Sequence, residues 1–244
     1  MDRIKRYVTC LQGYVSSRSL RNHQYSNLIE HTQHFVDAKK ERDRLRPPKF
    51  NIFQALGCTR SEGAHSSLLT YFLDPCGDHG QGVLFLKSFL ELIRDTAKAQ
   101  QKNLVIALPE DSVGWICSKE VMLKSLGRAD IRVWGKNLVA VIENKLFAGD
   151  QEEQLVRYWT FLESVPNIPT ESKILIYLTP DGKAPSERSV KNNLLLNEHL
   201  ILLSYKSHLS GMFQKIVAHL EENKLALPIV EDISQYISAV RRLT

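Results

Sequence analysis

The chain has 244 residues, 43% of them hydrophobic and 24% charged, and Lys and Arg exceed Asp and Glu by five. That length suits one domain with an extension, large enough to bury a core without disulfides or metals to hold it. No apolar run approaches the ~20 residues that span a bilayer. The four cysteines (Cys10, Cys58, Cys76, Cys117) form no CxxC pair, which argues against a zinc site or disulfide framework and for reduced cytosolic thiols.

The N-terminal MDRIKRYVTCLQGYV lacks the apolar core of a secretory signal, so a cytoplasmic protein is expected. Ile4, Tyr7, Val8, Leu11 and Val15 recur there at helical spacing. A second amphipathic stretch runs from about Tyr25 through Leu28, Ile29, Phe35 and Val36 into the charged segment DAKKERDRLRPPK. Residues 1–49 carry 11 Lys/Arg against 5 Asp/Glu, net +6, whereas residues 50–244 carry 21 against 22, net −1. Lys39, Lys40, Arg42, Arg44 and Arg46 are therefore candidate phosphate contacts. A solvated helix end is the alternative, because mixed-sign helix faces are common, and charge alone does not decide. Pro47-Pro48 ends the helical pattern. This divides a basic helical extension (1–48) from a main domain (49–244), with its core at about 50–206 and C-terminal helices over 207–244.

In the main domain, residues 62–73 and 82–93 read as apolar-faced helices separated by the loop DPCGDHG. Strand-like runs follow at about 113–123, 129–134 and 138–145, then a helix at about 150–164 with Leu155, Tyr158, Trp159 and Leu162 on one face. KILIYL (173–178) and HLILLSY (199–205) read as buried strands, and helices at about 209–223 and 230–242 close the chain. The order predicts a mixed α/β domain.

The segment GRADIRVWGKNLVAVIENKLFAGDQEEQLVRYW carries the chemistry. Glu143 and Lys145 stand two apart at the end of the apolar run LVAVI, so the pleat points both to one face. Charged groups at the tip of a buried strand are costly unless paired or bound to metal. If Lys136-Asn137 form a two-residue loop, Asp130 faces Glu143 across the hairpin. A three-residue loop would instead split the three residues between faces, unless a bulge restored them. Two carboxylates this close repel, and a hard divalent cation such as Mg²⁺ is the usual remedy. With a lysine alongside, that is the equipment for phosphodiester hydrolysis. A surface hairpin ending in a Glu–Lys ion pair is the plainer reading of ExK alone.

Gly127-x-x-Asp130, Glu143-x-Lys145 and Gln154-x-x-x-Tyr158 together resemble the motif series of the PD-(D/E)XK nuclease superfamily in its RecB-like form. Upstream, Glu62-x-x-His65-Ser66, Leu73-Asp74-Pro75 and His79-Gly80 resemble a bacterial branch of uncharacterised members. The resemblance spans about residues 50–180; Ala129 stands where the name-giving proline would be. It implies a restriction-endonuclease-like core, α-β-β-β-α-β, with helices flanking a mixed sheet. It also implies an Mg²⁺-dependent nuclease, with Mn²⁺ able to substitute, acting on DNA, with bacterial defence against phage or mobile DNA as one expected setting.

Residue by residue, the resemblance makes Asp130, Glu143 and the Asn144 backbone carbonyl metal ligands and Lys145 the catalytic lysine. Gln154 would orient the site or a DNA phosphate, and Tyr158 would face the site or the DNA backbone unless it is core. Glu62 would be the acidic residue and ligand from the first core helix, with His65 as that helix's histidine; a helix cap and a satisfied polar residue are the alternatives. Asp74 and His79 would shape the loop between helices. A silent fold used for nucleic-acid binding, or a nuclease gated by a homo-oligomer or regulatory partner through the N-terminal helices, remains open. No phosphate loop, HExxH or GxSxG pattern offers a different chemistry.

Overall fold

Lys136 and Asn137 form a two-residue turn, and Gly135 pairs with Leu138 across it. The hairpin so made sets the frame of the molecule. A computed structural model describes residues 5–6, 8–9, 22–45, 50–223 and 227–243, which divide into two units, Met1–Phe50 and Asn51–Thr244. In the first unit, helix α1 (Asn22–Leu45) carries the basic run. Most of the stretch expected to be helical over 1–15 lies outside the described residues, as do Arg46 and Pro47-Pro48.

The second unit runs α2 (Ile52–Ala55), α3 (Glu62–Leu73), α4 (Leu84–Ala99), β1 (Ile116–Met122), β2 (Arg128–Gly135) and β3 (Leu138–Asn144). Then follow α5 (Gln154–Glu163), β4 (Lys173–Thr179), α6 (Glu187–Val190), α7 (Leu194–His199), β5 (Leu200–Ser204), α8 (Ser210–Glu222) and α9 (Leu227–Val240). The strands form one mixed sheet in the order β1-β2-β3-β4-β5, antiparallel from β1 to β3 and parallel from β3 to β5. This is the α/β core expected from the element order. Two differences stand out. Helix α4 continues past residue 93 to Ala99, and the segment before β5 contains the short helices α6 and α7. None of the described helices is long and apolar enough to cross a membrane.

The composition of each strand explains its place. β3 (LVAVIEN) and β4 (KILIYLT) are buried along their whole length, as near-continuous apolar runs are when both faces of a sheet are covered. β1 is an edge strand, and its Ser118, Lys119 and Glu120 suit a border exposed to water. On β3, Leu138, Ala140 and Ile142 enter the core built from α3, α4, α8 and α9. Val139 and Val141 enter the opposite core beneath α5, with Leu155, Tyr158, Trp159 and Leu162. The alternation continues to the strand end. It sends Glu143 to the α5 face and Asn144 to the α3 face.

The hairpin is held by a close contact. A Cβ added at Gly135 would lie 2.6 Å from a ring carbon of Trp115, beside β1. Gly135→Ala is expected to destabilise the fold by about 1–3 kcal/mol through overpacking, measured by urea denaturation. Trp115→Leu in the same chain should recover much of that loss. If the two effects simply add, the contact does not restrain the hairpin.

Candidate active site

The β2–β3 ladder runs from Gly135↔Leu138 to Ile131↔Ile142, and Asp130 and Glu143 each stand one residue past its last pair, at the same end of the hairpin. The Asn144 N–H donates to Oδ2 of Asp130 at 2.7 Å. Because N–H and C=O of a strand residue point to the same side, the Asn144 carbonyl is directed to that edge too. On the other side of β2 the ladder breaks: Lys119 pairs with Ile131 and Val121 with Ala129, while Glu120 between them adopts φ 50. Glu120 forms an ion pair with Arg128 at 3.8 Å.

Glu143 is 2% exposed. Its Oε1 accepts from the Gln154 side chain at 2.7 Å and lies 2.8 Å from the Lys145 ammonium. Its Oε2 is buried without a hydrogen-bond partner. Burial, and then the Asp130 charge, push the Glu143 carboxyl up to about 7, against the pull of Lys145. Asp130 is raised as well, chiefly by burial, with the Asn144 N–H and Lys145 opposing. Burial lowers Lys145, but Glu143, Glu62 and Asp130 outweigh it and the net shift is upward. The lysine therefore stays charged at neutral pH, while Glu143 sits near the midpoint of its titration.

Glu62 reaches the same strand end from the first turn of α3. That helix is capped by Ser61, whose hydroxyl accepts the Ala64 N–H at 3.2 Å. Oε1 of Glu62 accepts the backbone N–H groups of Leu146, Phe147 and Ala148, at 2.7, 3.2 and 3.2 Å. One carboxylate thus fixes the chain just after Lys145.

Gln154 is buried, so it orients Glu143 rather than touching a phosphate. Tyr158, open between the site, a DNA backbone and the core, has its ring in the core and its hydroxyl on Gln154. It is 2% exposed, its hydroxyl donates to the Arg128 carbonyl at 2.6 Å, and it accepts from Gln154 at 3.2 Å. Its helix stripe also carries core residues, and Tyr158 belongs to that stripe. His65 matches the alternative of a satisfied polar residue. Nε2 bonds the Thr59 carbonyl at 2.9 Å and Nδ1 the Tyr236 hydroxyl at 3.1 Å. With both ring nitrogens engaged and burial lowering its pKa, His65 is a neutral packing link to α9, with neither nitrogen free for a metal. His79 and Asp74 shape the loop as expected, Nε2 of His79 bonding the Asp74 carbonyl at 2.8 Å.

On α1, Lys40 pairs with Asp37 at 3.2 Å and Arg44 with Glu41 at 3.7 Å. Lys39 is exposed, and the side chain of Arg42 lies outside the described residues.

Two features escaped the sequence reading. The Asn144 side chain donates to the Glu62 carbonyl at 3.1 Å and to the Ser66 hydroxyl at 3.0 Å, and it accepts from Tyr205 at 3.1 Å. A polar residue continuing the buried row 138, 140, 142 was the available signal, since a buried amide needs partners. Asp150 accepts from the Tyr177 hydroxyl at 2.6 Å and the Ser186 N–H at 2.7 Å. That pairing holds the loop after Lys145 against β4, and nothing in the spacing announces it.

Among the described residues, no three His, Cys, Asp or Glu side chains form a ready-made metal cage. The residues nevertheless fit a hard cation that keeps most of its waters. Two carboxylates lie close enough for the charge of Asp130 to raise the pKa of Glu143, and one buried carboxylate oxygen has no partner.

The chain was compared with known proteins. No curated protein and no solved structure matches it. A family model described as the PD-(D/E)XK nuclease superfamily matches residues 50–242, the whole sheet and its helices. With most of its length matched, the chain belongs to the PD-(D/E)XK nuclease superfamily.

Proposed function

We propose that this protein hydrolyses DNA phosphodiester bonds with the help of a divalent cation, Mg²⁺ by preference and Mn²⁺ as a substitute. The observation that carries the reading is the buried, unpartnered Oε2 of Glu143, on a carboxylate whose other oxygen lies 2.8 Å from the ammonium of Lys145. An unsatisfied buried carboxylate oxygen is expensive, and a cation is the partner that resolves it. Asp130, Glu143 and the Asn144 carbonyl would hold the ion, with Glu62 close enough to contribute through a water. When bound, it supplies Lewis-acid polarisation of the phosphodiester.

The protein's own groups do the rest. Lys145 holds a positive charge where negative charge develops on the phosphate. Gln154 fixes the Glu143 carboxylate by its hydrogen bond, and Tyr158 fixes Gln154. Asn144 ties the strand end to α3, so Glu62 and the β3 carboxylate keep their separation.

Plasmid and linear DNA are the substrates for the test, incubated with Mg²⁺, Mn²⁺ or EDTA. Cleavage is expected with either metal and none with EDTA, and Mg²⁺ should raise the unfolding temperature of the metal-stripped protein. Cleavage undiminished in EDTA, or absent under every condition, would sink the proposal.

A further inference from the structure

Two residues beyond Lys145 the chain exposes an aromatic ring. Single exposed apolar side chains are ordinary on protein surfaces, but Phe147, 46% accessible, is a restrained one. Its own N–H and those of its two neighbours are held on Oε1 of Glu62. The guanidinium of Arg60, two residues before Glu62, lies over the ring, 4.8 Å from its centroid. Ring and cation are therefore both anchored next to a carboxylate of the proposed site. Phe147 cannot stand more than about 7 Å from Lys145 along the chain.

The ring lines a groove of about 850 Å³ that also contains Lys145. Lys183 and Lys206 lie along it, together with Asp181 and Glu187. Among the described residues neither of those lysines forms a salt bridge. A fixed aromatic face with a guanidinium behind it, opening on a groove with free ammonium groups, matches the chemistry of a nucleotide. The base stacks on the ring and the phosphates meet the lysines. In a duplex each base already has stacking neighbours on both sides. A lone side chain in a groove engages one only when the strand is unpaired or the base is splayed out.

We propose that Phe147, backed by Arg60, stacks a base of an unpaired nucleic-acid strand lying in this groove, so that the site takes single-stranded or frayed substrate at the point of cleavage. The inference rests on the nuclease reading of Lys145 and its carboxylates, and it adds a substrate class to that reading.

The test uses full-length wild type, Phe147→Ala and Phe147→Trp. Each is titrated in Ca²⁺ buffer with single-stranded DNA and RNA carrying 2-aminopurine, and with the DNA duplex. Cleavage is followed separately in Mg²⁺. Wild type should quench the probe in one or both single strands. Phe147→Ala should lose about 5–100-fold in affinity for that strand, with the loss in KM and little change in kcat. Phe147→Trp should restore it, and duplex affinity should not move. Because the side chain is half-exposed and its ring partner is a single guanidinium, the unfolding temperatures of the three proteins should lie within a few degrees of one another.

Single-strand affinity unchanged in Phe147→Ala, or an equal loss on the duplex, would overturn the stacking role. If wild type cleaves and Phe147→Ala cleaves identically, only this inference fails. If wild type neither binds nor cleaves any of the nucleic acids, the nuclease reading fails with it.

Discussion

Lys145→Ala is expected to slow DNA cleavage by about 10²–10⁴-fold, the range found when a single charge-stabilising or proton-transferring group is removed. The Lys145 ammonium is 2.8 Å from Glu143 and largely buried with it. Its charge does two things that the substitution removes together. In the proposed reaction it meets charge developing on the phosphate, and it holds down the pKa of Glu143, which burial and Asp130 otherwise raise.

The two losses separate on the pH axis. Without the lysine, Glu143 titrates higher than about 7, so more of it is protonated at neutral pH and the rising limb of the pH–rate profile moves to alkaline pH. Raising the pH should therefore recover the part of the defect that comes from a protonated ligand. The part due to the missing ammonium should persist at every pH. Rates for wild type and Lys145→Ala between pH 6 and 9.5, at a fixed Mg²⁺ concentration low enough that protons compete with the cation for Glu143, give both components. A variant within a few-fold of wild type across that range would remove Lys145 from the chemistry.

How far the site could be read from sequence follows from which contacts are local. Bringing Asp130 and Glu143 together depends on a period of two, visible in LVAVIEN, and on the length of one turn, which GKN leaves open between two residues and three. The turn is the two-residue one. That Glu143 and Asn144 point to opposite faces of the sheet follows from the same alternation. The partners of these residues are another matter. Asn144 meets Ser66 on α3 and Tyr205 after β5, residues 78 and 61 positions away, and no local pattern encodes such meetings. Glu62 was placed on the right helix, yet its bonds to the Leu146–Ala148 amides depend on how the chain turns after β3.

Tyr158 and His65 were open between site and core for a shared reason. Residues three and four apart share a helix face, so proximity to Gln154 or Glu62 in sequence marks a neighbour without saying whether it faces the site or the core. Both are buried, and the Tyr158 hydroxyl still reaches the site through Gln154. Helix α4 outran its expected end because DTAKA, though polar, contains nothing that breaks a helix. It stops where Gln101 turns to φ 56.

Glu143→Gln should abolish cleavage, by 10³-fold or more, and at the same time stabilise the metal-free protein above neutral pH. The first effect follows from replacing an anionic ligand by a neutral amide that cannot balance the cation's charge. The second follows from linkage. Glu143 titrates near 7 in the fold, against an ordinary value of 4.5. Between those values the native state holds a proton that the unfolded chain has released, so wild-type stability falls as pH rises through that window. Above about 7 the loss is complete, and a glutamine at the position does not suffer it.

A shift of that size corresponds to at most about 3 kcal/mol. The variant also forgoes the ion pair with Lys145, so a net gain of about 1–2 kcal/mol at pH 8 is expected, falling toward zero or below by pH 5. The Gln154 side chain can still donate to the amide oxygen, so the packing need not change. Chemical denaturation in EDTA at pH 5 and pH 8 measures this gap. Added Mg²⁺ should then reverse the ranking, since only wild type gains binding free energy in the folded state. A Glu143→Gln protein less stable than wild type at pH 8 in EDTA would mean that the carboxylate is a structural partner of Lys145. Equal stabilisation of both proteins by Mg²⁺ would place the ion elsewhere.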